Sequence, residues 1–334
     1  MPAARGARAR AWCRVDLAGG TLDIWPLGLF HPGARTVNVA VDLAATVRLR
    51  PATSLYRVRQ GDAAVEAASA AALARQPEGA LAGTIAQALD LPPFTADLAS
   101  DSPRGGGLGA SSALAVAFIA AAEEAFDLPR SSAPARAHLA RDLEARLMEL
   151  PTGIQDHYPA LLGGALEIEQ RPGGERVRAL PVDLERLADS LLVAYSGLSH
   201  FSAAHNWHVV RRRLDGEAAV TALFAGIAAA ASEMVPALEA GELDRVGALM
   251  SREWACRREL APGVSTPALE TLLSAALAAG AWGGKACGAG GGGCLAFLCP
   301  PAARQVVARE LEAAGATLLA VRPVGEPLQV ELED

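Results

Sequence analysis

Lysine is almost missing from this chain: Lys285 stands alone among 334 residues, and arginine supplies the rest of the positive charge. The formal net charge is −7. A nucleic-acid surface needs a basic face to neutralise phosphates, so this balance excludes nucleic acid as an expected partner. Cysteine is sparse and unpaired in pattern, with five residues at 13, 256, 287, 294 and 299 and no CxxC among them. An odd, scattered set fits free thiols in a reducing compartment, so a cytoplasmic location is expected, and it offers no zinc site. The longest apolar run, ALAVAFIAAA at 113–122, is about half of the ~20 residues a membrane span takes. The N-terminal MPAARGARARAWCRV continues into a strand-like segment with Asp16, not into the apolar core of a signal peptide, so no membrane partner is expected. What is abundant is apolar: the chain is 51% hydrophobic with only 4% aromatics, enough for a sizeable core, and its length suits two domains.

WCRVDLA and TVNVAVDLAATVRLR alternate apolar and polar residues with a period of two and are expected to be half-buried strands. GGTLDIWPLGLFHPGAR between them reads as an ordered loop. FTADLASDSP is expected to be a strand, with helices over Ser112–Phe126 and Ala133–Leu150 and then the strand ALEIEQ. A short strand, LLVAYSG, opens a second block in which 201–280 is mainly helical, and a glycine-rich turn, a strand, a helix and a strand close the chain. The domain boundary is placed between about 180 and 195.

The segment PRGGGLGASSALAVAFIAA, residues 103–121, carries the strongest local signal. A P-loop would bring a lysine to the phosphates, and residues 103–112 contain none. Gly105, Gly107 and Ala110 match the dinucleotide pattern GxGxxG/A, but the acidic residues about 20 positions on, Glu123 and Glu124, fall in a helical segment instead of at a strand end. Gly288, Gly290 and Gly293 match on paper too, and a strand follows them where a helix is needed. A dinucleotide-binding oxidoreductase therefore stays only as an alternative. The underlying physics survives: glycines let backbone approach an anion, and a helix start near Ser111 presents free N–H groups and positive potential. Ser111 and Ser112 add hydroxyls, although a serine before an apolar run is also a common helix cap.

PRGGGLGASSALA resembles the PxxxGLG-[ST]SS-A signature of the GHMP small-molecule kinases, named for galactokinase, homoserine kinase, mevalonate kinase and phosphomevalonate kinase. RVDLAGGTLD at 14–23, GIQDHYPALLGG at 153–164 and GGKACGAGGGGCLAFL at 283–298 are similar, in order, to three further segments of that family. The closest likeness is to the heptose-phosphate kinase and fucokinase branch. The resemblance implies an α+β fold of two domains: an N-terminal domain over 1–188 with the glycine-rich phosphate loop, and a ferredoxin-like C-terminal domain over 189–334. It implies ATP phosphates over Pro103, Gly105, Gly106, Gly107, Leu108, Gly109, Ala110, Ser111 and Ser112. It makes Asp156 the catalytic carboxylate with Arg14 beside it, and it assigns Mg²⁺ to Glu144 and Ser111. The acceptor would meet Asp23, Gly20, Thr21, Gln155 and His200.

The implied activity is ATP- and Mg²⁺-dependent phosphorylation of a hydroxyl, the anomeric one included, on a sugar or sugar phosphate. A mevalonate-type isoprenoid kinase is the alternative within the family. Some positions depart from the pattern. Ala110 replaces a hydroxyl residue, Gly20 and Thr21 replace the glutamate and histidine of galactokinases, and His200 stands where heptose-phosphate relatives carry arginine. Trp25 is a candidate either for stacking on a sugar or for the core. Lys285 is read as packing the C-terminal glycine turn, with a phosphate within its possible reach. The oligomeric state is not legible in the sequence.

Overall fold

The period-two segments become the two longest strands, β1 (Gly6–Ala18) and β2 (Arg35–Pro51), paired antiparallel. The structure, a computed structural model, describes residues 5–199 and 203–333, the side chains of 203–206 excepted. A hairpin follows, β3 (Tyr56–Gln60) and β4 (Ala63–Ala67), which the sequence did not announce. Helices α1 (Ala70–Ala74) and α2 (Ala80–Ala88) lead to β5 (Phe94–Ser100). Next come α3 (Ala110–Ala125), α4 (Ala133–Met148) and the short α5 (His157–Leu162). The hairpin β6 (Ala165–Arg171) and β7 (Gly174–Ala179) and helix α6 (Leu184–Ser190) complete this half.

The second half starts at β8 (Leu191–Tyr195) and runs through four helices: α7 (Ala203–Leu214), α8 (Ala218–Glu239), α9 (Leu243–Arg257) and α10 (Pro267–Ala278). It ends with β9 (Gly283–Ala286), β10 (Cys294–Leu298), α11 (Arg304–Ala313), β11 (Thr317–Leu319) and β12 (Gln329–Glu333). The four-stranded sheet has the order β11-β8-β10-β9, all antiparallel, with helices connecting β8 to β9 and β10 to β11. This is the expected ferredoxin-like arrangement. The larger sheet has the order β12-β1-β2-β5-β3-β4, with β6 and β7 branching from β2. Its outer strand β12 comes from the very end of the chain, so the last residues pack with the first half.

Helix α3 is buried from Ser112 to Glu123. Its small alanines let β1, β2, α4 and α5 approach from all sides, and Phe118 packs edge-on against Phe94 of β5. On β1, Ala7, Ala9 and Ala11 join the core around α3, whereas Cys13, Val15 and Leu17 on the same strand join a second core with α8, α9 and β10. The β1–β2 register shifts at Trp12/Cys13 and Asp16/Ala18, and between those irregularities lie Arg14 and Asp16. Helix α8 spans 22 residues and holds an 18-residue window of mean hydropathy 1.7, long and apolar enough to cross a membrane. It exceeds the 113–122 run singled out in the sequence. Its Phe224, Ile227, Met234 and Val235 are buried in the two cores that α8 joins.

Candidate active site

Four α-helices among the described residues start on a side-chain cap: Ser69 for α1, Ser132 for α4, Asp183 for α6 and Thr266 for α10. Helix α3 does not. Its N-cap is Gly109, at φ +74°, with no side-chain bond to the first turn, so those N–H groups keep their positive potential for an anion. Ser111 is therefore no cap. It is exposed at the helix start, while Ser112 is buried and donates its hydroxyl to Glu144 Oε2 at 2.7 Å. Upstream, the Gly106 N–H donates to the Pro103 carbonyl at 3.0 Å, and Gly105 and Gly107 both lie at positive φ. Leu108 is buried in the second core, and its carbonyl accepts from Arg14 N–H at 2.9 Å, which ties the loop to β1.

The C-terminal glycine turn lies directly against this loop. The Cys294 N–H donates to the Gly106 carbonyl at 2.9 Å, and a Cβ on Gly107 would stand 2.6 Å from the Cys287 carbonyl oxygen. The second paper match to a dinucleotide pattern is thus a buttress for the first loop. The oxidoreductase alternative also fails on context, because α3 leads into α4 where that fold needs a strand.

Arg14 and Asp156 meet at the head of α3. Arg14 Nη2 and Nε lie 2.6 and 2.9 Å from Asp156 Oδ1, and Nη1 donates to the Gly107 carbonyl. Arg14 is buried; Asp156, at the start of α5, is about a quarter exposed with its second oxygen beside Gly109. Burial disfavours the Arg14 charge, but Asp156 and then Asp16 outweigh it and hold the guanidinium above its ordinary value.

Glu144 on α4 faces the start of α3. Besides Ser112 it meets His157 Nε2 at 2.7 Å. Burial raises the Glu144 carboxyl, yet His157 and the hydroxyls of Ser112 and Ser111 together hold it below the usual carboxylate range, and the His157 pKa is raised in turn. The expected pairing named Ser111 alone; Ser112 makes the direct bond and His157 was missed, although QDHY carries it. Ser111, exposed at the start of α3, and Glu144, buried behind it, are hard oxygen donors beside the glycine loop, a chemistry that suits Mg²⁺, an ion that takes few protein oxygens.

Asp23 is buried deeper. Its Oδ2 accepts from the Gln155 N–H at 2.8 Å, Oδ1 has no protein partner, and burial, with the Asp156 charge adding to it, pushes its pKa up to about 6. Gly153 makes room for it, since a Cβ there would fall 1.9 Å from Oδ2. Gln155 Oε1 is likewise buried without a partner. Gly20 and Thr21 line the same corner and are held by Arg257 of α9, which sequence reasoning missed because α9 reads as an ordinary amphipathic helix. Trp25 is 75% exposed and so is not a core residue. Lys285 is fully buried, its ammonium committed to Asp16 and Glu253. His200 lies outside the described residues.

A family model described as "GHMP kinases N terminal domain" matches residues 73–164, and one described as "GHMP kinases C terminal" matches 234–317. The chain belongs to the GHMP kinase family. It is 29% identical over 212 residues to a D-glycero-alpha-D-manno-heptose 7-phosphate kinase of Campylobacter jejuni, a match spanning 62% of each chain. It is 32% identical over 240 residues to a mevalonate kinase of Pyrococcus abyssi, covering 70% of this chain and 68% of that one. Among solved structures, a D-glycero-D-manno-heptose 1-phosphate kinase from Bacteroides thetaiotaomicron aligns over 97% of this chain and 98% of its own with a TM-score of 0.77 at 21% identity. A Lactococcus lactis galactokinase complexed with galactose aligns over 97% and 95%, with a TM-score of 0.80 at 16% identity. These likenesses establish the GHMP kinase fold for this chain; the relatives themselves differ in acceptor.

Proposed function

We propose that this GHMP kinase transfers the γ-phosphoryl group of ATP, with Mg²⁺, to a hydroxyl of a sugar or sugar phosphate. The observation that carries the reading is the Arg14–Asp156 pair at the head of the uncapped helix α3. Mg-ATP would supply the phosphoryl group; Pro103 to Ser112 would hold its phosphates, and Ser111 and Glu144 would hold the metal. The chain's own groups do the rest. Arg14 engages one oxygen of Asp156 and leaves the other free to orient the acceptor hydroxyl and take its proton. The same guanidinium, fixed to the Gly107 carbonyl, stands ready to counter charge developing on the transferred group. Asp23 and Gln155 offer unpartnered acceptor oxygens to neighbouring hydroxyls of a polyol.

A mevalonate acceptor is the second reading, favoured by the 32% identity to an archaeal mevalonate kinase. Mevalonate carries a carboxylate that wants a free cation. Arg257, whose charge Asp23 feels, is committed to Glu253, and Arg14 is committed to Asp156, which supports a neutral polyol end at that corner. The test is ADP release with Mg-ATP across free hexoses, heptoses, fucose, their phosphates and mevalonate. Saturable turnover on one sugar or sugar phosphate supports the proposal. Turnover on mevalonate alone replaces it with the second reading, and silence with no ATP binding contradicts both.

A further inference from the structure

The acceptor loop leaves β1 at Ala18 and carries Asp23. One of its residues sits in the left-handed region without being glycine: Thr21, at φ +73°. A β-branched residue there costs on the order of 1–3 kcal/mol and persists only where its surroundings impose it. What imposes it comes from the far half of the chain. Arg257, the last residue of α9, is buried; its Nη2 donates to the Gly20 carbonyl at 2.7 Å and its Nη1 to Thr21 Oγ1 at 3.0 Å. Its Nε and Nη2 are engaged by Glu253, one turn earlier and also buried. Gly20 is wedged into the same corner, where a Cβ would come within 2.8 Å of Asp16 Oδ2, 3.0 Å of Gln155 Nε2 and 3.2 Å of Arg257 Nη2.

We propose that Arg257 is a positioning residue for the acceptor: from the C-terminal half it clamps the Gly20–Thr21 turn in its left-handed form and so sets where Asp23 meets the substrate. The guanidinium is spent on protein partners along both edges, so it acts through the loop and not as a ligand. Lysine in its place keeps the charge opposite Glu253 but lacks the planar fork that reaches Gly20 and Thr21 together. The acceptor part of this inference rests on the kinase reading; the loop clamp stands on geometry alone.

Hydrogen exchange tests the clamp without any substrate. The reporters are Leu22, Ile24 and Leu27, whose N–H groups donate to the Gly19, Thr21 and Ile24 carbonyls. In Arg257→Lys, exchange over 19–27 is expected to rise about tenfold, the scale of one charge-assisted hydrogen bond, with a smaller rise in Thr21→Ala and no change in α3. The acceptor KM rises by about the same factor while kcat and the ATP KM stay within about twofold of wild type. Unchanged loop exchange in both variants overturns the proposal, as does loosening that reaches α3 equally, which would mark Arg257 as a general structural residue. If Arg257→Lys does not fold, Thr21→Ala carries the same comparison. If wild type turns over no acceptor, the kinase reading fails while the exchange result still decides the clamp.

Discussion

Asp23 sets two demands against each other. A buried carboxylate whose pKa is pushed up to about 6 binds its proton more tightly in the folded chain than in the unfolded one, where it titrates near 3.8. Fold stability from this group therefore falls as pH rises from about 4 to about 6, by on the order of 3 kcal/mol, and stays low above that window. Asp23→Asn removes the burden: at pH 7.5 the variant is expected to unfold at higher urea than wild type, and at pH 4 the two should converge. The function moves the other way. The ionised carboxylate accepts two hydroxyl bonds, so wild-type kcat/KM for the acceptor should fall as pH drops through about 6, and in Asp23→Asn that limb should vanish along with most of the activity. Glu144 and Asp16 have the opposite sign, since both are held below the ordinary range. Their contribution is full above the unfolded value and is lost as pH falls through their lowered ones.

Among the elements, the two glycine loops form one device. The first loop can approach phosphates because Gly105, Gly107 and Gly109 take positive φ, and it stays in place because the 288–293 turn presses against its back. Gly107→Ala would drive a Cβ into the Cys287 carbonyl at 2.6 Å, so ATP affinity measured by calorimetry should fall about tenfold or more, the price of displacing one loop from the other. Gly173→Ala, at φ +90° with open space around it, is the control and should leave ATP affinity unchanged. The strands β1 and β2 were legible because apolar and polar residues alternate along them, but half-buried strands were expected and 12–18 and 36–41 are buried on both faces, Arg14, Asp16 and Asn38 included; α3 was legible because its apolar run is long. Its true start, Ala110 and not Ser112, was not, since a glycine in the left-handed form ends the loop where a serine cap was an open option. The β3–β4 hairpin escaped because its outer residues face solvent with mixed polarity, and β12 because five residues give almost no periodic signal. Arg14, Asp23, Glu144 and Asp156 were within reach through ordered motifs. His157 stood in the quoted QDHY but its bond to Glu144 was not legible, and Glu253 and Arg257 carried no signal, because only the folded chain brings His157 to Glu144 and Arg257 to Gly20 and Thr21.

At the level of the whole molecule, the halves are joined by buried charge as well as by apolar surface. Asp16 of β1, Lys285 of β9, and Glu253 and Arg257 of α9 form one enclosed network, with Asp16 Oδ2 and Glu253 Oε2 left without a hydrogen-bond partner. Removing one member strands the others in a medium that penalises unpaired charge. Lys285→Met is expected to cost about 3–5 kcal/mol in urea unfolding, far beyond what any exposed arginine pair here contributes. Strand β1, packed in the core it shares with α8, α9 and β10, carries Arg14 to Asp156 at the head of α3 and continues into the Arg257-held loop. Under the proposed function, Asp156 orients the acceptor hydroxyl and takes its proton. The most direct measurement is phosphoryl transfer by Asp156→Asn beside its ATP affinity, on the acceptor that wild type turns over. Asp156→Asn is expected to lose about 10³-fold or more in kcat while its ATP affinity stays within about threefold of wild type. Turnover that survives the substitution with ATP binding intact would contradict that role.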